Sequence, residues 1–151
     1  MPDLSPVATW KPVPGWEGFY EASDQGDARS LDRDVRYSDG KIHTHRGKVL
    51  KHKLRKVTGH HDVLLQAKES GRKRNMGVHQ AVLLAFVPRP DGVYIPCHKN
   101  GDPDDNRLEN LYWGTHYDNA MDTQRHGNTP PWGRPWQPRP PRTPQRPVAV
   151  R

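Results

Sequence analysis

The sequence predicts an α+β fold, on three observations. Its first half alternates short strand-prone runs with turns, as at Phe19–Ser23, Asp24-Gln25-Gly26 and Ala28–Leu31. One stretch, His79–Phe86, sets Val82, Leu83 and Phe86 on one face of a helix and is followed by Pro88, which ends it. Val93–Pro96 then reads as a strand, Glu109-Asn110-Leu111 as a second strand, and Thr115 to His126 as a closing helix. With 151 residues and 32% hydrophobic content, the chain has room for one modest domain or two very small ones around a small core.

Residues 1–9 lack periodicity and are expected to be flexible. Residues 10–46 begin with Trp10, Trp16, Phe19 and Tyr20 among turn formers, so a hairpin is expected whose aromatic rings join a core rather than stack on bases. Within that unit, residues 34–46 read as an insertion or flexible loop. Residues 47–77 form a basic hairpin region, begun by Gly47–Lys51, with strands at Val63-Leu64-Leu65 and Arg74–Val78 around a turn at Glu69–Lys73. His52, His60 and His61 read as exposed histidines of that basic face rather than as metal ligands.

Residues 78–127 hold the helix, the later strands and the last helix. His79 is positioned to cap the first helix or to touch a bound partner, and a structural role is favoured. Thr115, with Asp118 three residues on, is an acidic form of the capping box, and Gly127 supplies the stop. Residues 128–151 contain eight of the sixteen prolines, with arginines and no acid, and are expected to be an extended, disordered cationic tail.

The net charge of +7 is unevenly spread. Residues 1–40 carry −4, residues 41–74 carry +9, residues 75–126 carry −3 and the remainder +5. So dense a basic block in an acidic body points to a polyanion partner. Its phosphate-contact candidates are Lys48, Lys51, Lys53, Arg55, Lys56, Arg72, Lys73 and Arg74, with Arg29 and Arg107 outside it. A single cysteine, Cys97, excludes an internal disulfide framework and a four-cysteine zinc finger. No apolar run has the length of a membrane span, so a soluble cytoplasmic protein with no membrane partner is expected. Asp102, Asp104 and Asp105 lack the order of a calcium-binding EF-hand loop and read as turn residues.

Two segments carry family resemblances. Trp10, Pro12, Gly15, Glu17, Tyr20, Ser23, Gly26, Arg29, Ser30 and Leu31 resemble the small nuclease-associated modular motif that precedes phage and intron nuclease domains. The run Cys97–Asn119, CHKNGDPDDNRLENLYWGTHYDN, resembles the site of HNH endonucleases of the phage and group I intron homing type. The resemblance covers about residues 10–128 and includes VHQAVLLAFVPRPDG. It implies a ββα-metal (His-Me finger) unit after short β-hairpins, hydrolysis of double-stranded DNA, and, if phage-encoded, action in a bacterial host cell. The alternative is a non-catalytic DNA-binding protein that keeps the fold.

By the same resemblance, His98 is the general base, a role suited to an imidazole titrating near neutral pH. Asn110 holds the loop between the strands and orients the His98 ring. Asn119, on the first turn of the last helix, offers its carbonyl oxygen to one divalent ion, most suitably Mg2+ or Mn2+. Cys97 departs from the family, which usually has Asp, Asn or His there. Three readings follow: a packed thiol, with Asp122, His126 or DNA phosphates completing the shell; a Cys97–His126 site for a softer ion such as Zn2+ or Ni2+; or a weakened metal site. The target sequence, nicking versus double-strand cutting and the oligomeric state are left open.

Overall fold

The computed structural model describes residues 7–126. The expectations for the first six residues, for Gly127 and for the Pro/Arg-rich tail lie outside the described residues. The chain is α+β, as the strand and helix patterns predict.

The N-terminal hairpins come first. Strands β1 (Trp10–Pro12), β2 (Tyr20–Ser23) and β3 (Ala28–Ser30) form an antiparallel sheet in that order. Trp16 and Tyr20 are buried and meet edge to face at 5.7 Å, so these rings are core, as expected. Trp10 stays half-buried, with the Arg29 guanidinium 4.3 Å over its ring.

The segment expected as a loop is instead a hairpin. β4 (Arg33–Arg36) pairs with β5 (Ile42–His45), and the Tyr37 N–H to Lys41 carbonyl bond closes the turn. Only Val35 of the two strands is buried, whereas Ile42 is exposed. With one inward side chain the hairpin has no apolar alternation, and so no sequence signal.

β6 (Lys53–Leu54), β7 (His61–Ala67) and β8 (Arg72–Gly77) make a second three-stranded antiparallel sheet. Val63, Leu65 and Ala67 point inward, while Leu64 is exposed, the period-2 pattern of a half-buried strand. The turn is tighter than expected: a 3₁₀ turn at Lys68–Ser70 puts Arg72 and Lys73 in β8. The Tyr20 hydroxyl donates to the Gln66 carbonyl and accepts from the Gln66 N–H, both at 2.9 Å, tying the two sheets together.

Helix α1 (Val78–Phe86) is the centre of the molecule. Val78, Ala81, Val82 and Leu83 are fully buried among Val13, Trp16, Tyr20, Val63, Leu65, Met76 and Leu111. Burying each aliphatic side chain of this size contributes about 1.5–3 kcal/mol. Both sheets and the following strand pair rest on this one helix, so the hairpins and the C-terminal unit share a single core. That unit is β9 (Ile95–His98), antiparallel to β10 (Leu111–Gly114), with α2 (His116–Arg125) packed on both. Asn110 ends a 3₁₀ turn, Leu108–Asn110, rather than lying in the second strand. The cap of α2 is the expected one: Asp118 N–H donates to the Thr115 hydroxyl, and Thr115 N–H donates to the Asp118 carboxylate at 2.8 Å.

Candidate active site

β9 delivers two neighbouring side chains to different surroundings, as strand alternation requires. His98, opposite Leu111, opens onto a cavity of about 370 Å³ lined also by Thr58, His60, Gly101, Pro103, Asn119, Asp122 and Thr123. Cys97, opposite Tyr112, is fully buried and does not line that cavity. Asn119, Asp122 and Thr123 share one face of α2 at helical spacing.

The loop between the strands is held from within. Asn110, 8% exposed, donates from Nδ2 to Asn100 Oδ1 and to the Asp105 carbonyl, both at 2.9 Å, and accepts from the Asn100 N–H. Arg107 forms a two-pronged pair with Asp105 at 2.9 Å and a second pair with Glu109. The Arg107 contacts hold the Asp105 carboxyl down to about 2. Asn110 therefore braces the loop, but its side chain makes no hydrogen bond to the His98 ring. Asn106, 5% exposed, does so: its Oδ1 lies 2.9 Å from His98 Nε2. An oxygen facing Nε2 puts the proton on that nitrogen and leaves Nδ1 as the basic one.

Two further imidazoles crowd His98. His79 is half-buried, 5.1 Å from His98 and stacked on His60 at 4.8 Å, and His60 is 5.6 Å from His98. Burial, then the neighbouring His60 and His98, lower the pKa of His79 to about 3. Burial and His98 lower that of His60 as well. His79 makes no capping bond to α1, and its Nδ1 has no hydrogen-bond partner among the described residues. His60 is thus no exposed surface histidine. His52 and His61 are half-buried too, 5.5 Å apart, beside Asp27 and Asp104 respectively.

The three metal candidates do not converge. Asn119 faces the cavity. Cys97 sits beside Tyr112, Asp122 and Asp118, and burial foremost pushes its thiol up to about 11, so it is a neutral thiol at neutral pH. His126 packs against Gly101, with Nε2 2.9 Å from the Lys99 carbonyl, and props α2 on the loop. The Tyr112 hydroxyl donates to Asp122 Oδ2. Among the described residues no group of three His, Cys, Asp or Glu side chains is placed to hold a metal ion.

The basic candidates divide in two. Arg29 is paired with Glu21 at 2.6 Å, Arg55 with Asp62 at 2.7 Å, and Arg107 with Asp105 and Glu109. Arg72 lies 3.8 Å over the Trp16 ring and bonds the Gly15 carbonyl. Lys48, Lys51, Lys53, Lys56, Lys73 and Arg74 are exposed, with no ion pair among the described residues. The sequence alone singles out neither Asn106 nor His60 as a site residue, and Asp122 only as one of several candidates to complete a metal shell. Only Asn106, inside the run that carries His98 and Asn110, had a local signal.

The chain resembles known proteins over most of its described length. The family profile of the NUMOD4 motif matches residues 9–66, and that of an HNH endonuclease matches residues 76–121. The chain is similar to DNA endonuclease I-HmuI of Bacillus phage SP01, 29% identical over 78% of this chain and 59% of that one. It is also similar to an uncharacterized HNH endonuclease of Acanthamoeba polyphaga mimivirus, 32% identical over 74% of this chain and 25% of that protein. The solved structure described as DNA binding and cleavage by the HNH homing endonuclease I-HmuI superposes with a TM-score of 0.62 at 28% identity, covering 80% of this chain and 60% of that one. The chain therefore spans less than two thirds of the length of these relatives. No helix among the described residues is long and apolar enough to cross a membrane.

Proposed function

The chain carries a NUMOD4 motif followed by an HNH endonuclease domain and is homologous to the phage homing endonuclease I-HmuI, and on that footing we propose that it hydrolyses phosphodiester bonds of double-stranded DNA with His98 as general base. The observation that carries the proposal is the His98–Asn106 bond. It leaves Nδ1 as the basic nitrogen of a side chain lining a cavity shared with Asn119 and Asp122.

In this reaction Nδ1 accepts a proton from water as the water oxygen attacks phosphorus. The P–O3′ bond breaks and the leaving O3′ takes a proton from solvent water, leaving 5′-phosphate and 3′-hydroxyl ends. Asn106 keeps the imidazole in the required tautomer, and Asn110 keeps the loop that carries Asn106 in place.

HNH nucleases generally use a divalent metal ion. The residues on the cavity wall fit a hard ion held mainly by oxygen: the Asn119 amide and the Asp122 carboxylate, with water and DNA phosphate filling the remaining positions. Mg2+ or Mn2+ suits this set, and Cys97, which does not line the cavity, is not placed to add a soft ligand for Zn2+ or Ni2+. Such an ion would stabilise charge on the phosphate and on the leaving oxygen. The exposed lysines of the second sheet, with Arg74, would bind the DNA backbone.

A second reading, a DNA-binding protein that has lost cleavage, is favoured by one observation: Cys97 places no anionic ligand next to His98. Plasmid nicking in a Mg2+, Mn2+, Zn2+ and Ni2+ series separates the two. Cleavage that depends on metal, and that His98→Ala abolishes while DNA binding persists, is the expected result. Binding without cleavage in every metal would establish the second reading.

A further inference from the structure

The cavity at His98 has a wall that comes from outside the HNH endonuclease domain. Thr58 and His60, on the turn between β6 and β7, lie within the segment matched by the NUMOD4 motif and outside residues 76–121. We propose that His60 is a catalytic residue of the composite site, donating an imidazole N–H to a non-bridging oxygen of the phosphate being cleaved. This rests on the endonuclease reading above.

Three observations support it. His60 lines the same cavity as His98, with ring centroids 5.6 Å apart. A phosphate whose attacking water is bonded to His98 therefore lies within hydrogen-bonding reach of His60. Second, the His60 ring contacts His79 and His98 only by ring packing and makes no hydrogen bond to any described residue. A half-buried imidazole with both nitrogens unused takes its partner from whatever enters the cavity.

Third, the turn that carries His60 is a cationic approach to the site. Lys53 and Lys56 precede it, exposed and with no ion pair among the described residues, and the Arg55 N–H bonds the His60 carbonyl at 2.8 Å, closing the turn. A backbone drawn to these cations is led to His60. Burial disfavours the charged form of this imidazole, and the neutral ring carries one N–H donor. The NUMOD4-matching segment then supplies a reacting-phosphate contact as well as a DNA surface.

The test compares His60→Gln, which keeps an N–H donor, with His60→Leu, which fills similar space without one. Single-turnover nicking of supercoiled plasmid by the full chain in Mn2+ is measured beside DNA affinity in metal-free buffer and thermal melting. Losing a single transition-state donor costs on the order of 100-fold in rate, so His60→Leu is expected to cut roughly 30- to 100-fold more slowly with DNA affinity within about 3-fold of the unsubstituted protein. His60→Gln is expected to regain roughly 10-fold of that loss. Equal rates for the two variants, or a loss that follows DNA affinity, would overturn the proposal. If His60→Leu melts well below the parent, His60→Ala takes its place in the comparison. A parent chain that cuts in no metal overturns the endonuclease reading itself, whereas a parent that cuts and a leucine variant that matches it overturn only this inference.

Discussion

Gly26 lies against Asn106, so closely that a Cβ on Gly26 would stand 2.9 Å from the Asn106 carbonyl carbon. The N-terminal hairpin thereby backs the residue that holds the His98 ring, and the Leu108 N–H bonds the Asp24 carbonyl at 2.9 Å in the same contact. Gly26 also has φ +92°, a conformation other residues rarely adopt. We expect Gly26→Ala to cost about 1–3 kcal/mol of stability, from backbone strain and the displaced loop. Cleavage at a temperature where the variant is folded should fall as well, since Asn106 must move. Nicking at the parent rate by a folded Gly26→Ala protein would show that the hairpin does not position the catalytic loop.

Asn106 and Asn110 should separate cleanly. Asn110 makes three hydrogen bonds inside the loop, so Asn110→Ala is expected to lower stability by about 1–3 kcal/mol. Asn106→Ala removes one bond, to His98, and should slow cleavage by roughly 10- to 100-fold with a smaller change in melting temperature. Urea denaturation and single-turnover nicking of both variants check this. The reverse ranking would return the orienting role to Asn110.

Cys97→Asp puts a carboxylate beside Asp118, Asp122 and Tyr112 in a fully buried position. Without metal the change should destabilise the protein by about 2 kcal/mol or more, because an uncompensated charge is buried among acids. Millimolar Mg2+ or Mn2+ should recover part of that loss by binding the folded state, and should raise cleavage. Melting curves with and without metal read the first effect, and nicking reads the second. A variant whose melting ignores the metal would place the ion elsewhere.

The half-buried His79, whose Nδ1 is shut off from solvent, makes stability depend on acid. Its folded pKa is about 3 against an ordinary 6.5, so between those values the unfolded chain binds a proton that the folded chain does not. Stability is then fully present above pH 6.5 and is lost as pH falls toward 3, with His60 adding in the same direction. The slope from one such group is at most about 1.4 kcal/mol per pH unit. His79→Phe, which keeps the stacking surface without a titrating nitrogen, should flatten the fall. Parallel urea midpoints for the two proteins at neutral and mildly acid pH would rule out His79 as the source.

Free and paired cations should behave differently in DNA binding. Lys51→Ala, Lys53→Ala and Lys56→Ala are each expected to reduce the salt dependence of DNA binding by about one unit of log–log slope. Arg29→Ala breaks the pair with Glu21 and the contact over Trp10, so it should lower stability while leaving the slope largely unchanged. Binding titrations across a salt series decide this. A slope unmoved by the lysine changes would remove the basic block from the DNA surface.

Local pattern was enough for much of the fold. The α1 stripe, the alternation in β7, the Thr115–Asp118 cap and the run carrying His98, Asn110 and Asn119 are all short-range features. Each is set by residues a few positions apart, so propensity and spacing reveal them. The β4–β5 hairpin was illegible for the opposite reason. Val35 alone is buried, and the rest of the pairing is backbone hydrogen bonding with exposed polar contacts such as Thr44 to Asp34, which carry no apolar pattern.

The sequence by itself determined the class of the molecule: an α+β chain with a nuclease-type histidine–asparagine run and a basic block ahead of it. Tertiary structure decided the surroundings of His98. Asn106 rather than Asn110 meets its ring, His60 and His79 stack beside it, Gly26 backs Asn106, and Cys97 turns away from the cavity. Most of these contacts join residues distant in the chain, brought together because both sheets and the ββα unit bury their apolar faces on one helix. A shared core of that kind leaves no periodic trace in the sequence, since each segment records only which of its own faces is apolar and not what it will meet.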